Sequence, residues 1–138
     1  EALLATGRPV IWFWPNVAPG ADDIAKVLRQ HQATDTRIRY VRHLSSLRFY
    51  RLLLDSSCLV GNSSGGIREC SYLGVPVVNI GSRQQGRDRA ENVIDVPPGA
   101  DAIERAIEMH NTSYPSSTLY GDGTAGHKIS EALASWLS

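Results

Sequence analysis

Ser63-Ser64-Gly65-Gly66, followed by Glu69 and, further on, by Arg83, are the residues whose types and spacing could do chemistry in this chain. Serine caps helices well and glycine carries no side chain. Backbone N–H groups and hydroxyls can therefore converge on a phosphate at the positive end of a helix. Glycine lowers helix propensity in such a first turn. Either a ligand approaches the backbone there, or the glycines let helix and strand pack closely. Glu69 is the misfit, because it lies four residues after Gly65 on the same helix face and would repel a lone phosphate. Carboxylates in such places usually grip vicinal hydroxyls, so a nucleotide, with a ribose diol one turn from its phosphate, accounts for both features. The plainer alternative for Glu69 is an ion pair with Arg68 or with a basic loop residue. Arg83 presents a planar fork of donors suited to a diphosphate.

These residues need strands to hold them. The apolar run Cys58-Leu59-Val60 leads into the turn, a helix follows to Leu73-Gly74, and Pro76 to Ile80 reads as the next buried strand. An arginine-rich loop from Gly81 to Arg89 comes next, then a short strand over Glu91 to Val96. Upstream, Pro9 to Trp14 reads as a strand buried on both faces, with Asn16 at its C-terminal end. Arg37 to Val41 is a second strand, and His43 lies on the same rim, the edge where open α/β sheets bind ligands. Helices are expected after Gly20 with Ile24, Val27 and Leu28 inward, and after Ser45 or Ser46 with Leu47, Tyr50, Leu53 and Leu54 at helical spacing. A helix from about Asp101 to His110 turns Ile103, Ala106 and Ile107 inward, and in a last helix Ile129, Leu133, Trp136 and Leu137 line one side. Strands alternating with helices imply an α/β fold, a Rossmann-like parallel sheet flanked by helices.

The 138 residues fit one domain spanning 1–138, with 42% in the hydrophobic class. Fourteen Lys+Arg balance fourteen Asp+Glu, so the broad basic surface of a nucleic-acid binder is missing and any anion site is local. Cys58 and Cys70 have neither zinc-ligand spacing nor disulfide-scaffold density and are expected as reduced thiols. Neither a metal nor a cofactor is expected. With no membrane-length apolar run and no signal peptide, no membrane partner is expected, and the cytoplasm is the default location.

Three other motifs compete for the turn. Gly61-Asn62-Ser63-Ser64-Gly65 matches the G-x-S-x-G nucleophile elbow, with Asp95 or Asp122 and His110 or His127 in the right chain order, so a serine hydrolase built on Ser63 is a real rival. A P-loop is excluded, because no Gly-Lys-Ser/Thr follows the glycines. The G-x-G-x-x-G dinucleotide fingerprint is absent as well. His31 and His110 sit at helix ends, where solvation or dipole compensation is the expected role.

Gly61 to Glu69, Gly74 to Arg87 with its Gly-Ser-Arg-Gln-x-Gly-Arg loop, and Glu91-Asn92-Val93 closely resemble the C-terminal domain of UDP-N-acetylglucosamine 2-epimerases, the hydrolysing branch above all. Trp14-Pro15-Asn16, Val41-Arg42-His43-Leu44 and Tyr120-Gly121-Asp122-Gly123 extend the resemblance over nearly the whole chain. It implies a glycosyltransferase-B-like two-domain protein whose N-terminal domain, absent from this chain, carries the acidic residues of the chemistry. In that reading Asn16, Ser63, Ser64, Gly65, Glu69 and Arg83 contact UDP, the serines at its phosphates and Glu69 at its ribose, with His43 and Leu44 near the base. The implied reaction eliminates UDP to a glycal and adds water with inversion at the second carbon, giving N-acetylmannosamine for sialic-acid-type sugars. A homo-oligomer is expected of the full-length enzyme. Ala25, Lys26 and Arg29 stand where some animal members have feedback-site arginines, so that regulation is not expected. A non-catalytic nucleotide-sugar sensor or a glycosyltransferase half is the remaining alternative.

Overall fold

A computed structural model describes residues 2–15, 21–32, 36–110 and 113–137. Helix α1 (Ala2–Ala5) leads to β1 (Val10–Phe13), α2 (Ala21–Gln32), β2 (Ile38–Val41), α3 (Ser46–Leu54) and β3 (Leu59–Gly61). Two short helices follow, α4 (Ser64–Ile67) and α5 (Glu69–Leu73), then β4 (Val77–Ile80), β5 (Val93–Val96), α6 (Ala100–Met109) and α7 (Ala125–Leu137). Every strand pairing is parallel. The expected α/β arrangement is present, with parallel strands flanked by helices.

Among the described residues the strands form two sheets, β1-β2 and β3-β4-β5, instead of one. β3 is only three residues long, and its ladder runs to β4, with Leu59 opposite Val77 and Gly61 opposite Asn79. Aromatic packing bridges the sheets, with Phe13 of β1 edge-on to Phe49 of α3 at 5.5 Å between ring centroids. Phe49 in turn packs against a core of Leu53, Cys70, Val75 and Val77. A second core of Val78, Ala106 and Ile107 takes in Leu3 of α1, so the first helix is anchored to the sheet's other face.

The core is concentrated around β4, whose Val77, Val78 and Asn79 are all buried. β1 departs from expectation, because Ile11 is 43% exposed and the strand is not covered on both faces. Ala25 and Leu28 are the buried residues of α2, while Ile24 and Val27 are exposed. In α3 the inward pair is Phe49 and Leu53, four residues apart, and Leu47, Tyr50 and Leu54 face outward. Both helices carry apolar residues on more than one face, and spacing alone does not say which face a sheet will cover. Ile103, Ala106 and Ile107 of α6 do face the core as their spacing requires.

Gly74 ends α5 in the left-handed conformation at φ 68°, and a Cβ there would come 2.2 Å from the Tyr114 carbonyl oxygen. Only glycine fits both constraints. The chain after α6 is strapped across α5 by bonds from Tyr114 N to Gly74 O, Ser117 N to Ser71 O and Ser116 Oγ to Tyr72 O. Beyond that strap, α7 has no buried residue.

Candidate functional site

The turn after β3 forms as its residue types require. Ser63 is extended and caps α4, its hydroxyl accepting from Gly65 N at 3.3 Å. The expected single helix is interrupted at Arg68 (φ −100°, ψ −67°), so Glu69 opens a second short helix. Glu69 still turns back over the cap. A Cβ on Gly65 would lie 3.5 Å from Ser63 Oγ and 3.7 Å from Glu69 Oε2, so the missing side chain keeps open a space that both groups border.

The two glycines therefore divide the roles that the sequence left open. Gly66 is a packing glycine, since a Cβ there would press to 2.9 Å from Val77 Cγ1. Gly65 meets ordinary contact distances and faces polar atoms. The ion-pair alternative for Glu69 is not realised among the described residues: Oε2 is buried and accepts no hydrogen bond. A buried carboxylate oxygen without a donor is costly, and a ligand hydroxyl would satisfy it.

The basic loop closes one side. Arg83 Nη1 donates to Asn62 O at 3.2 Å and Gln84 Nε2 donates to the same oxygen at 2.8 Å, tying the loop to the turn. Arg89 is not free for a ligand. Its guanidinium donates to both Asp95 oxygens, at 3.0 and 3.2 Å, and to the carbonyls of Gln84 and Arg87. Burial pushes the Asp95 carboxyl up, but hydrogen bonds from Arg89 and Asn79 outweigh it and hold the pKa below the ordinary carboxylate value. The loop's three arginines thus divide into Arg83, exposed and bonded to the turn, Arg87, exposed with its main-chain carbonyl engaged by Arg89, and Arg89, which is structural. This ion-paired loop makes the parallel connection from β4 to β5, where a helix is the usual choice.

Ser63, Gly65 and Glu69 come together, and Arg83 reaches the adjoining Asn62. Ser64 begins α4 and is exposed. Exposed His43 and half-buried Leu44 lie between β2 and α3, beyond the C-terminal end of β2, and make no hydrogen bond to the turn among the described residues. The ends of β1 and β2 are joined by Trp14 N donating to Val41 O and by Arg42 stacked 5.8 Å from the Trp14 ring. Asn16 lies outside the described residues.

A model of the UDP-N-acetylglucosamine 2-epimerase family matches residues 1–134. The chain belongs to that family. It is 34% identical over 135 residues to a hydrolysing UDP-N,N'-diacetylbacillosamine 2-epimerase of Legionella pneumophila, covering 96% of this chain and 36% of that protein. A UDP-N-acetylglucosamine 2-epimerase of Neisseria meningitidis is 36% identical over 116 residues, covering 79% of this chain and 29% of its own. The polysialic acid biosynthesis protein P7 of Escherichia coli is 35% identical over 99 residues, covering 72% of this chain and 25% of its own. The chain spans about a third or less of the length of these relatives.

In this epimerase-family chain the groups needed for a Ser63 nucleophile are engaged elsewhere. His110 Nε2 donates to Val77 O at 2.9 Å, which leaves Nδ1 to accept from Tyr114 OH at 3.0 Å. Burial holds its pKa below the ordinary imidazole value, partly offset by the Val77 bond. His110 is therefore a joint between α6 and β4, not the solvated helix end that its position suggests. His127 pairs with Glu131 on α7, and Asp122 binds Thr124 and Lys128. Both cysteines are free thiols, which burial pushes up to about 11 at Cys58 and about 12 at Cys70, so neither is a ready nucleophile. No group of three or more His, Cys, Asp or Glu able to hold a metal occurs among the described residues, and none of their helices is long and apolar enough to cross a membrane.

Sequence reasoning placed Gln84 and Asn92 in motifs but gave neither a structural role. Asn92 is fully buried, accepting from Ser71 Oγ and donating to Val75 O, and it fixes α5 against the entry to β4. Neither residue belongs to a hydrophobic period, so no pattern in the chain marks it as internal.

Proposed function

We propose that this chain is the UDP-binding C-terminal domain of a two-domain, hydrolysing UDP-N-acetylglucosamine 2-epimerase, which releases UDP from UDP-N-acetylglucosamine to give N-acetylmannosamine for sialic-acid-type sugars. The observation that carries the reading is the turn itself. Ser63 Oγ and a buried, unpartnered Glu69 Oε2 border the space left by the missing side chain of Gly65. In this reading Ser63, Ser64 and the amides of the turn take the diphosphate, Glu69 accepts from the ribose diol, and Arg83 closes from the loop. His43 and Leu44 are assigned to the neighbourhood of the base, and Asn16 to a further contact with UDP.

The chemistry gives these donors a role beyond holding substrate. As the bond from the sugar's first carbon to the diphosphate oxygen breaks, that oxygen gains negative charge while a proton leaves the second carbon. Hydroxyls, amides and a guanidinium aimed at the diphosphate stabilise the charge as it develops. Acidic groups that move the proton belong, in this reading, to the remaining chain, and the short coverage of the relatives supports a second domain. The exposed apolar side of α7 supports it too, as a surface that more protein would cover.

Calorimetric titration of the full-length protein with UDP and with inorganic pyrophosphate tests the assignment. UDP is expected to bind more tightly, and Glu69→Ala to remove most of that advantage. Equal affinity for the two ligands in the wild-type protein would overturn the ribose role of Glu69. Labelling of Ser63 by a fluorophosphonate probe would instead support the hydrolase.

A further inference from the structure

Asn62 O accepts two side-chain donors, the exposed guanidinium of Arg83 at 3.2 Å and the amide of Gln84 at 2.8 Å. The two donors differ in freedom. Gln84 is only 4% exposed, and its main-chain carbonyl accepts from Arg89 Nη2 at 3.0 Å. Arg89 is in turn fixed on Asp95 at 3.0 Å. Arg83 has no such anchor among the described residues. A carbonyl oxygen has two lone pairs, so Arg83 can withdraw without leaving Asn62 O unpaired, provided that Gln84 stays.

We propose that Gln84 is a positioning residue of the diphosphate site: it keeps Asn62 O bonded and so releases Arg83 to a ligand phosphate. The proposal rests on the nucleotide reading given above. Exchange of a neutral carbonyl for a phosphate favours the guanidinium, because hydrogen bonds between ionised partners are the stronger ones. Gln84's amide orientation agrees with this division of labour. Its Oε1 is buried without a partner. Turning the amide over would set that oxygen against Asn62 O, so the bond to Asn62 dictates the orientation even at the expense of an unpaired acceptor. The serine turn and the basic loop are thereby held in register by a residue that need not touch the ligand.

A double-mutant cycle on the full-length protein tests this, with Gln84→Met, Arg83→Met and the pair, each titrated with UDP and with uridine. Loss of the amide donor should weaken UDP binding about three- to tenfold, the worth of one hydrogen bond, and leave uridine binding unchanged. The pair should bind UDP no more weakly than Arg83→Met alone, because Gln84 acts through Arg83. A purely structural role would give additive losses, or equal losses for UDP and uridine, and either result overturns the proposal. So does wild-type affinity for UDP in Gln84→Met. Should Gln84→Met fail to fold, Gln84→Leu removes the donor to Asn62 O without adding charge and carries the same expectations for uridine and for non-additivity. If the wild-type protein binds UDP no better than uridine, the nucleotide reading and this inference fall together; preference for UDP with no effect of Gln84 removes the inference alone.

Discussion

β4 and α7 both present apolar side chains at the spacing that their secondary structure requires, and the fold treats them in opposite ways. Val77, Val78 and Asn79 of β4 are buried between helices on two faces, whereas Trp136 and Leu137 of α7 are 90% and 87% exposed and Ile129 and Leu133 more than half exposed. Around β4 nearly every polar group has a partner as well: Asn79 donates to Asp95, Asn92 bonds Ser71 and Val75, and His110 holds the Val77 carbonyl. The turn that borders the candidate site is built directly on this packed half. Its unpartnered acceptors, on Glu69 and Gln84, stand out against such a satisfied background. Amphipathic spacing states only that a face is available to be buried, and the partner surface decides whether it is.

The sharpest way to break the comparison is to disturb the packed half. Asn92→Leu removes two hydrogen bonds and leaves the Val75 carbonyl and the Ser71 hydroxyl without this buried partner, so it should destabilise the protein by about 2–3 kcal/mol in denaturant titration. A loss under 0.5 kcal/mol would mean that the network is incidental. Gly66→Ala should cost about 1–3 kcal/mol through overpacking on Val77. Its neighbour is expected to behave differently, with Gly65→Ala nearly neutral in thermal melts but weaker in UDP binding, since only the space between Ser63 and Glu69 is filled. Matching stability losses for the two variants would erase the distinction between the packing glycine and the open one.

pH supplies a smaller effect of definite sign. The His110 pKa lies below its ordinary 6.5 in the folded protein, so its contribution to stability is present above that value and is lost as pH falls toward the folded value. The Asp95 pKa is depressed too, which places its contribution above the ordinary carboxylate value of 3.8 and its loss at still lower pH. Stability followed by denaturant titration should therefore decline in two separate windows on acidification. His110→Gln, which keeps a donor for Val77 O, should flatten the upper one. A slope just below pH 6.5 that survives this substitution would remove His110 as its source. The smallest change is expected at the other pole: Leu133→Ser with Trp136→Ser in this 138-residue chain should shift stability by no more than about 0.5 kcal/mol, as exposed substitutions do. A larger loss would show that α7 packs on the rest of the chain in solution.

Much of this was legible in the chain. Strand positions, the glycine turn, the α6 face and the placing of Glu69 beside the serine cap follow from local rules: capping, glycine geometry and residues one helical turn apart. The split at Arg68 and the inward face of α3 were not legible. There Phe49 and Leu53 were chosen over Leu47, Tyr50 and Leu54 by the position of Phe13 and the β4 core. His110 was misjudged for the same reason, since a helix-end histidine looks solvated until a strand carbonyl from residue 77 arrives beside it.

What the sequence determined by itself is the α/β alternation, the family, and the residue types of a serine-glycine turn with a carboxylate one helical turn away, because those depend on neighbours within a few positions. Tertiary structure alone decided which glycine packs and which stays open, which arginine is structural and which is exposed, and that Asn62 O joins the turn to the loop. Each of those choices depends on a contact between residues 11 to 22 positions apart in the chain or on an ion pair across a loop, and no local spacing encodes them.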